Sequence, residues 1–105
     1  MDITIGVIDF EKQRNVRYSH DAKGNAICYI AHNGYIYPNN IKSNGGALKV
    51  GETVSVSVNR KEGSIVWAVG DSVKHSCKCE MLSDQTRTIM PYIEMYNSGD
   101  IVEWS

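Results

Sequence analysis

The sequence predicts an all-β protein built as an antiparallel β-sandwich, and three observations support this prediction. Residues Thr53 to Asn59 alternate strictly between polar and apolar, the period of a strand with one buried and one wet face. Several similar runs are separated by short segments containing glycine, which are typical of turns. No segment carries an apolar stripe of helical spacing over a useful length.

The N-terminal part of the chain supplies the first three predicted strands. The first is Ile3 to Ile8, and the second, Ala26 to Ala31, is apolar on both faces, which predicts a central strand. Asn33-Gly34 separates it from the short strand Tyr35-Ile36-Tyr37, which Pro38 ends. This dipeptide predicts a β-hairpin, because both central residues of a type I′ turn need positive φ.

The middle of the chain predicts a polar loop followed by a pair of strands. Residues 39–46, rich in Asn, Ser and Gly, form the loop, and residues 59–63 form the turn between the strands. Gly70-Asp71 predicts the next turn. The period-two pattern predicts that six residues of this pair point inward: Val54, Val56, Val58, Ile65, Trp67 and Val69.

The last third predicts one more strand and a final hairpin. Residues 74–81 alternate cleanly, with a wet face and a face made of His75, Cys77, Cys79 and Met81. After a polar loop at 83–88, residues 89–96 and 101–104 form a hairpin around Ser98-Gly99, which gives seven or eight strands in all. Four residues of this hairpin are expected to face the core: Ile93, Met95, Val102 and Trp104.

Length and composition indicate one intracellular domain. A chain of 105 residues with 42% hydrophobic and 22% charged residues predicts a single globular domain over residues 1–105. A formal charge of −1 without a basic patch predicts no nucleic-acid partner, and the short apolar runs predict no membrane partner. Three cysteines cannot form a complete disulfide framework, which favours a reducing, cytoplasmic location.

Five short motifs occur in an order that resembles the SPRY domain, a bent, concanavalin-like β-sandwich used for protein recognition. In chain order they are Ile5-Gly6-Val7 ("iGv"), Tyr35-Ile36-Tyr37 (a short aromatic strand), Gly51 to Val56 ("GDvIgV", with Glu52 replacing Asp), Ile65 to Val69 ("isFyvNGk"), and Pro91 to Tyr96 with Gly99 to Val102 ("PyVsLy" and "GDsV"). The resemblance covers nearly the whole chain, from Ile3 to Trp104.

Two departures from the family pattern bear on the prediction. Gly70-Asp71 stands where the family usually has Asn-Gly. SPRY domains also usually have several strands before the "iGv" motif, whereas this sequence starts there. The resemblance therefore implies a fragment, a minimal variant, or a sandwich completed by another chain. Because an incomplete sheet exposes strand edges, self-association through unpaired edges is also expected.

The resemblance implies a protein- or peptide-binding module whose ligand surface is built from loops and adjoining strand ends. By that pattern the contact residues are Tyr37, Asn39, Asn40, Tyr96 and Asn97. Tyrosine suits such surfaces because it buries a large area and keeps a polar tip. The alternative for each tyrosine is packing within the sheets. The alternative function is a carbohydrate-binding module on a lectin-like sandwich, because Asn, Asp and Tyr also suit sugars.

The sequence predicts neither an enzyme nor a cofactor. His75-x-Cys77-x-Cys79 places three metal-ligating residue types on one strand face, but a structural zinc site needs a fourth ligand, from Cys28 or His32. Because free cysteines are commonly buried, we expect Cys77 and Cys79 to be core residues. We also expect three free thiols in the chain and no bound metal. The Cys and His residues lack the sequence context of a nucleophilic pair, and the carboxylates are spread over turns and wet faces.

Overall fold

The computed structural model describes residues 3–13, 25–37 and 41–95. Within them the chain forms two antiparallel sheets, which confirms the predicted all-β architecture. The elements are β1 (Ile3–Asp9), α1 (Phe10–Gln13), β2 (Ala26–Ile30), β3 (Tyr35–Tyr37), β4 (Ile41–Lys42), β5 (Val54–Asn59), β6 (Ser64–Val69), β7 (Ser72–Lys78), α2 (Glu80–Ser83) and β8 (Ile89–Met95).

The larger sheet has five strands in the order β4-β3-β2-β1-β8. β1 therefore lies between β2 and β8, and every residue of β1 except Ile5 is buried. The close approach of β1 and β2 requires glycine at position 6, since a Cβ there would lie 2.0 Å from the carbonyl oxygen of Ile27. Like β1, β2 is buried on both faces, as its sequence predicts for a central strand.

The smaller sheet is the meander β5-β6-β7, and its turns explain its register. Asn59 Oδ1 accepts hydrogen bonds from the backbone N–H groups of Lys61 (3.0 Å) and Glu62 (3.1 Å). Gly63, with a φ of 71°, donates its N–H to the Asn59 carbonyl at 2.8 Å. The second reversal is Gly70-Asp71, between the paired residues Val69 and Ser72. Both predicted turns are confirmed.

The two sheets pack face to face around one hydrophobic core. Its centre is Trp67, fully buried, whose ring centroid lies 5.7 Å from that of Tyr29. The indole Nε1–H of Trp67 donates to the carbonyl of Ile5 at 3.0 Å and so ties the smaller sheet to the larger one. The inward orientation predicted for seven residues is confirmed, because they are buried or pack against this core: Val54, Val56, Val58, Ile65, Trp67, Val69 and Ile93.

Three predicted core residues have other outcomes. Met95 is 48% exposed, so the prediction that it lies in the core is wrong. Ile93, two residues earlier, still packs against the core, whereas Met95, although opposite the core residue Ile3, ends the outer strand β8 and remains exposed. Val102 and Trp104, with the rest of the final hairpin from Tyr96 onward, lie outside the described residues.

The opposite face of the larger sheet carries a second apolar cluster that the sequence analysis does not predict. Ile8, Ala26 and Cys28 are buried there, and Tyr92 packs against them. Tyr92 does point away from the main core, as the alternation of β8 predicts. It nevertheless packs on apolar neighbours, because the five-stranded sheet buries side chains on both faces.

The hairpin between β2 and β3 forms as predicted, but its loop is longer than a two-residue turn. Tyr29 pairs with Ile36, and the N–H of Gly34 donates to the carbonyl of Ile30 at 2.8 Å. Ala31 is held in extended pairing before the turn begins. Its N–H donates to the carbonyl of Ile3, and its own carbonyl accepts the N–H of Leu48. Gly34 has the positive φ, 76°, that the Asn-Gly pair predicts for its glycine.

Two further predictions are corrected by the structure. Residues 39–46 are predicted as a loop, yet Ile41 and Lys42 pair with β3 as strand β4. The alternation at 74–81 overextends the last strand of the smaller sheet, because β7 ends at Lys78 and residues 80–83 form the helical turn α2. Met81 reaches the core from this helical turn and not from a strand.

Candidate functional site

A cleft of about 1020 Å³ opens between the sheets where β5 and β8 form their outer strands. Inward residues of β1, from Ile3 to Val7, form its floor. β5 and β8 form its two walls, and residues 48–53 and Arg60 complete the lining. Because Val54, Val56 and Val58 supply one wall, the lining is mainly apolar.

The loop at 48–53 is held rigidly beside the cleft. Leu48 is buried, and its N–H donates to the carbonyl of Ala31 at 2.7 Å. The N–H of Glu52 bonds to the carbonyl of Lys49 at 3.2 Å across a β-turn in which Gly51 has a φ of 91°. A positive φ at the third residue defines a type II turn, and this turn places Val50 at its tip, 83% exposed.

Backbone hydrogen bonds show which groups β8 presents to the cleft. The N–H of Phe10 donates to the carbonyl of Thr88 at 2.9 Å, in the register of β1 with β8. Bonded and non-bonded pairs alternate along an antiparallel ladder, so Tyr92 bonds to β1 whereas Pro91 directs its backbone toward the opposite edge, with which no described strand pairs. Because proline has no N–H, this edge lacks a donor at its middle.

The bonds of β6 likewise show which backbone groups lie on the edge of β5. The N–H of Cys79 donates to the carbonyl of Gly63 at 2.8 Å, in the register of β6 with β7. Because bonded pairs alternate, the backbone N–H and C=O groups of Ile65 and Trp67 point toward β7. Those of the intervening residues of β6 point toward β5. Across the β5–β6 register, three residues of β5 therefore direct their backbone N–H and C=O groups to the free edge: Val54, Val56 and Val58. Among the described residues, no strand pairs with this edge.

Two charged side chains of the lining, Arg60 and Glu52, are held by the protein itself, and Lys49 is the third charged residue of the lining. Arg60 donates from Nε to the carbonyl of Leu82 (2.6 Å) and from one terminal nitrogen to the carbonyls of Asp84 (2.7 Å) and Arg87 (3.1 Å). Glu52 accepts the backbone N–H of Lys49. These bonds leave the valine wall and the strand edges as the main recognition features of the cleft.

The predicted contact residues do not line this cleft in the part of the chain that is described. Tyr37 is half-buried in β3, opposite Cys28, and β3 lies three strand spacings, roughly 14 Å, from β8. Asn39, Asn40, Tyr96 and Asn97 lie outside the described residues. This contact set therefore stays a prediction. Tyr29 is a packing residue, because its hydroxyl is held by Ser43 and the carbonyl of Gly46.

The His75, Cys77 and Cys79 strip lies against the main core. Cys77 and Cys79 are half-buried free thiols that pack on the core, and Cys28 is a fully buried free thiol. Burial raises the pKa of the Cys77 thiol, and the neighbouring Cys79 raises it further. The ring of His75 lies 6.2 Å from that of Trp67, and its Nδ1 is buried without a hydrogen bond. No group of three or more His, Cys, Asp and Glu side chains among the described residues could hold a metal ion.

A smaller hollow of about 250 Å³ between α1 and residues 84–88 contains charged side chains that bind one another. Arg87 lies 3.5 Å from the carboxylates of both Asp9 and Asp84 and donates to Asn25 at 2.9 Å. Hydrogen bonds from the Thr86 side chain and backbone lower the pKa of Asp84, with a smaller contribution from Arg87. This cluster fixes the segment before β8 and offers no free charge from Arg87.

Sequence patterns predict strands that form the walls of the cleft, but they do not predict the cleft itself. The alternation at residues 53–59 predicts a half-buried strand, whereas the turn at Val50-Gly51 is not predicted. The position of the opening depends on which strands end the two sheets, and strand order is not encoded in local periodicity. Among the described residues, no helix is long and apolar enough to cross a membrane. Comparisons of the chain with protein-family models, curated proteins and solved structures found no match.

Proposed function

We propose that this chain is a SPRY-like domain that binds an extended protein or peptide segment in the cleft between β5 and β8. The observation that carries the proposal is an apolar cleft of about 1020 Å³ bordered by two strand edges. An extended segment presents alternate side chains to such a cleft and its backbone to the strand edges. The cytoplasmic location indicated by the cysteine content is part of this proposal.

Exposed apolar residues at the rim support a macromolecular ligand. Val50 is 83% exposed at the tip of its turn, and Met90 is 42% exposed on β8. Both line the same cleft. Grouped apolar residues at the rim of a groove are typical of protein-binding surfaces. The apolar valine wall favours a peptide over a sugar, since sugar sites need several polar groups that bond ligand hydroxyls.

The SPRY-like assignment draws its support from the arrangement of two of the resembling motifs. Ile5-Gly6-Val7 lies in β1 and Ile65 to Val69 lies in β6, on facing sheets. The side chain of Trp67, at the aromatic position of the second motif, bonds to the carbonyl of Ile5 in the first. Such a contact between motifs is expected where both contribute to one core.

The test is a selection of displayed random linear peptides on the immobilised chain, followed by affinity measurements with the selected peptide. We expect peptides with apolar residues at alternate positions. Val50→Asp and Met90→Asp should each weaken binding about tenfold or more, because a charge replaces an apolar rim contact. Melting temperatures of all variants show whether each remains folded.

The matched controls carry the same substitution at exposed apolar residues away from the cleft. Val73 on β7 is 59% exposed and Ile41 on β4 is 51% exposed, and neither lines the cleft. The Val73→Asp and Ile41→Asp variants should therefore bind the peptide with the same affinity as the unsubstituted protein. Failure to select any peptide, or equal losses in rim and control variants, would reject the cleft as a peptide site.

A further inference from the structure

The outer strands of the two sheets differ in how their edges are protected from other strands. β4 has only two residues, and β8 carries Pro91 on the edge that is unpaired among the described residues. β7 is interrupted by a bulge at Lys74 and also carries Lys78. In addition, a Cβ at Gly45 would lie 2.6 Å from that of Lys74, so residue 45 packs directly against this strand. Short length, proline, lysine and bulges are the devices that prevent pairing between sheet edges.

β5 carries none of these devices. Between Val54 and Asn59 its sequence is Val-Ser-Val-Ser-Val-Asn, without charge, proline or bulge. The N–H and C=O groups of its three valines point to the free edge, as derived above from the bonds of β6. An edge of this kind is a template for another strand of matching period.

We propose that β5 pairs in antiparallel fashion with β5 of a second copy, about a twofold axis at Val56. In this register Val56 opposes its own counterpart, and Val54 opposes Val58. These three positions are the ones that direct backbone groups outward, so the pairing makes roughly six backbone hydrogen bonds, two for each opposed pair. This inference does not depend on peptide binding. Because both would use the same edge of β5, a dimer paired in this way leaves only the edge of β8 for the backbone of a peptide.

Side-chain matching favours this register over its neighbours. Ser55 opposes Ser57 on the exposed face, and valines oppose valines on the core face. Just beyond the strands, the register brings the position of Glu52 in one copy opposite that of Arg60 in the other. A shift by two residues would instead place Val58 opposite Glu52. A closed twofold interface requires such self-complementarity.

The twofold axis also determines how the two clefts of a dimer are placed. In this register the valine faces of both β5 strands lie on the same side of the joined sheet, so the twofold axis is perpendicular to that sheet. Both five-stranded sheets therefore lie on the same side of the joined sheet. The two clefts, each bordered by β5, then open toward one another. Val50 and Met90, at the cleft rims, then lie close to the dimer interface.

The test uses the charge pattern of the exposed face, where the register predicts contact between Ser55 and Ser57. The original chain should be a dimer at high concentration and a monomer at low concentration in sedimentation velocity. Ser55→Lys/Ser57→Lys places like charges opposite one another twice and should weaken the dimer about tenfold or more. Ser55→Lys/Ser57→Glu places unlike charges opposite one another and should restore the dimer at least to its original affinity.

The matched control is Ser72→Lys/Ser76→Lys, two exposed serines on β7, which should dimerise as the original chain does. Far-UV circular dichroism checks that each variant is folded. A chain that is monomeric at every concentration would overturn the inference, and so would a dimer unaffected by the two lysines on β5. A Lys/Glu variant as weak as the Lys/Lys variant would also overturn it, because the proposed register makes those two variants opposites.

Discussion

The indole of Trp67 contributes to stability in two ways that substitutions can separate. Its ring fills the centre of the core, where it is fully buried. Its Nε1–H also satisfies the carbonyl of Ile5 on the facing sheet at 3.0 Å. The first contribution is apolar burial, and the second is a hydrogen bond that a purely hydrocarbon ring cannot make.

Trp67→Phe should therefore destabilise the protein by about 1–3 kcal/mol, from the lost hydrogen bond and a small cavity. Trp67→Ala removes the whole ring and should cost about 3–5 kcal/mol. Urea unfolding followed by circular dichroism measures both changes. Equal losses for the two variants would contradict this division, because they would mean that ring volume contributes nothing beyond the hydrogen bond.

The thiol of Cys77 offers a prediction about pH. Burial, and then Cys79, raise its pKa, so less of it is thiolate near pH 8 than in the unfolded chain. Alkylation by iodoacetamide, mapped by peptide mass spectrometry, should be slower at Cys77 in the folded protein than in urea. Cys79→Ala removes the smaller of the two causes of the raised pKa. The pKa of Cys77 should then fall part of the way toward its ordinary value.

The same shift has a consequence for stability, since the pKa of Cys77 is higher in the folded state than in the unfolded state. Its contribution is fully present below the ordinary thiol pKa and is lost as pH rises through the folded-state value. The unfolding free energy of the original chain should thus fall more at alkaline pH than that of Cys77→Ala. Parallel pH profiles for the two proteins would contradict this expectation.

At the scale of elements, one side chain fixes the connection between α2 and β8. Arg60, just after β5, donates to the carbonyls of Leu82, Asp84 and Arg87. In return, the side chain of Gln85 donates to the carbonyl of Arg60 at 3.0 Å. This exchange gives an irregular segment the backbone partners that a regular element would supply.

Arg60→Met keeps much of the aliphatic length but leaves three carbonyls without this donor. We expect a loss of about 1–3 kcal/mol, together with faster amide hydrogen exchange in residues 82–88. Lys61→Met, at the exposed neighbouring position, is the matched control and should change neither. Unchanged exchange in the Arg60 variant would show that this segment is held by other contacts.

Local sequence patterns predict the elements better than they predict the element ends. The alternation at residues 53–59 identifies β5, because a half-buried strand leaves a clear period of two. The pattern at 74–81 predicts a strand that is too long, since an alternating sequence does not show that the chain turns at Cys79 into α2. β4 is missed because two residues are too few to show any period.

At the scale of the whole molecule, the two sheets are assembled in different ways. The smaller sheet joins consecutive strands, whereas β8 returns from the far end of the described chain to pair with β1. Local patterns predict each of these strands but not this long-range pairing. The cleft follows from that pairing, because it leaves β8 and β5 as outer strands on the same side. The part of the main core formed by β5 and β6 was predictable from local alternation, and the candidate site was not.

The pairing of β1 with β8 also determines how the protein responds to mechanical force. Ile3 and Met95 are opposite one another at one end of this pair, so tension applied between these two residues reaches both strands at the same point. The antiparallel bonds then open one after another, like a zipper, instead of resisting together in shear. Optical-tweezer pulling between Ile3 and Met95 should separate this pair at lower force than pulling between Ile3 and Ile89, which lie near opposite ends of the same pair and load it in shear.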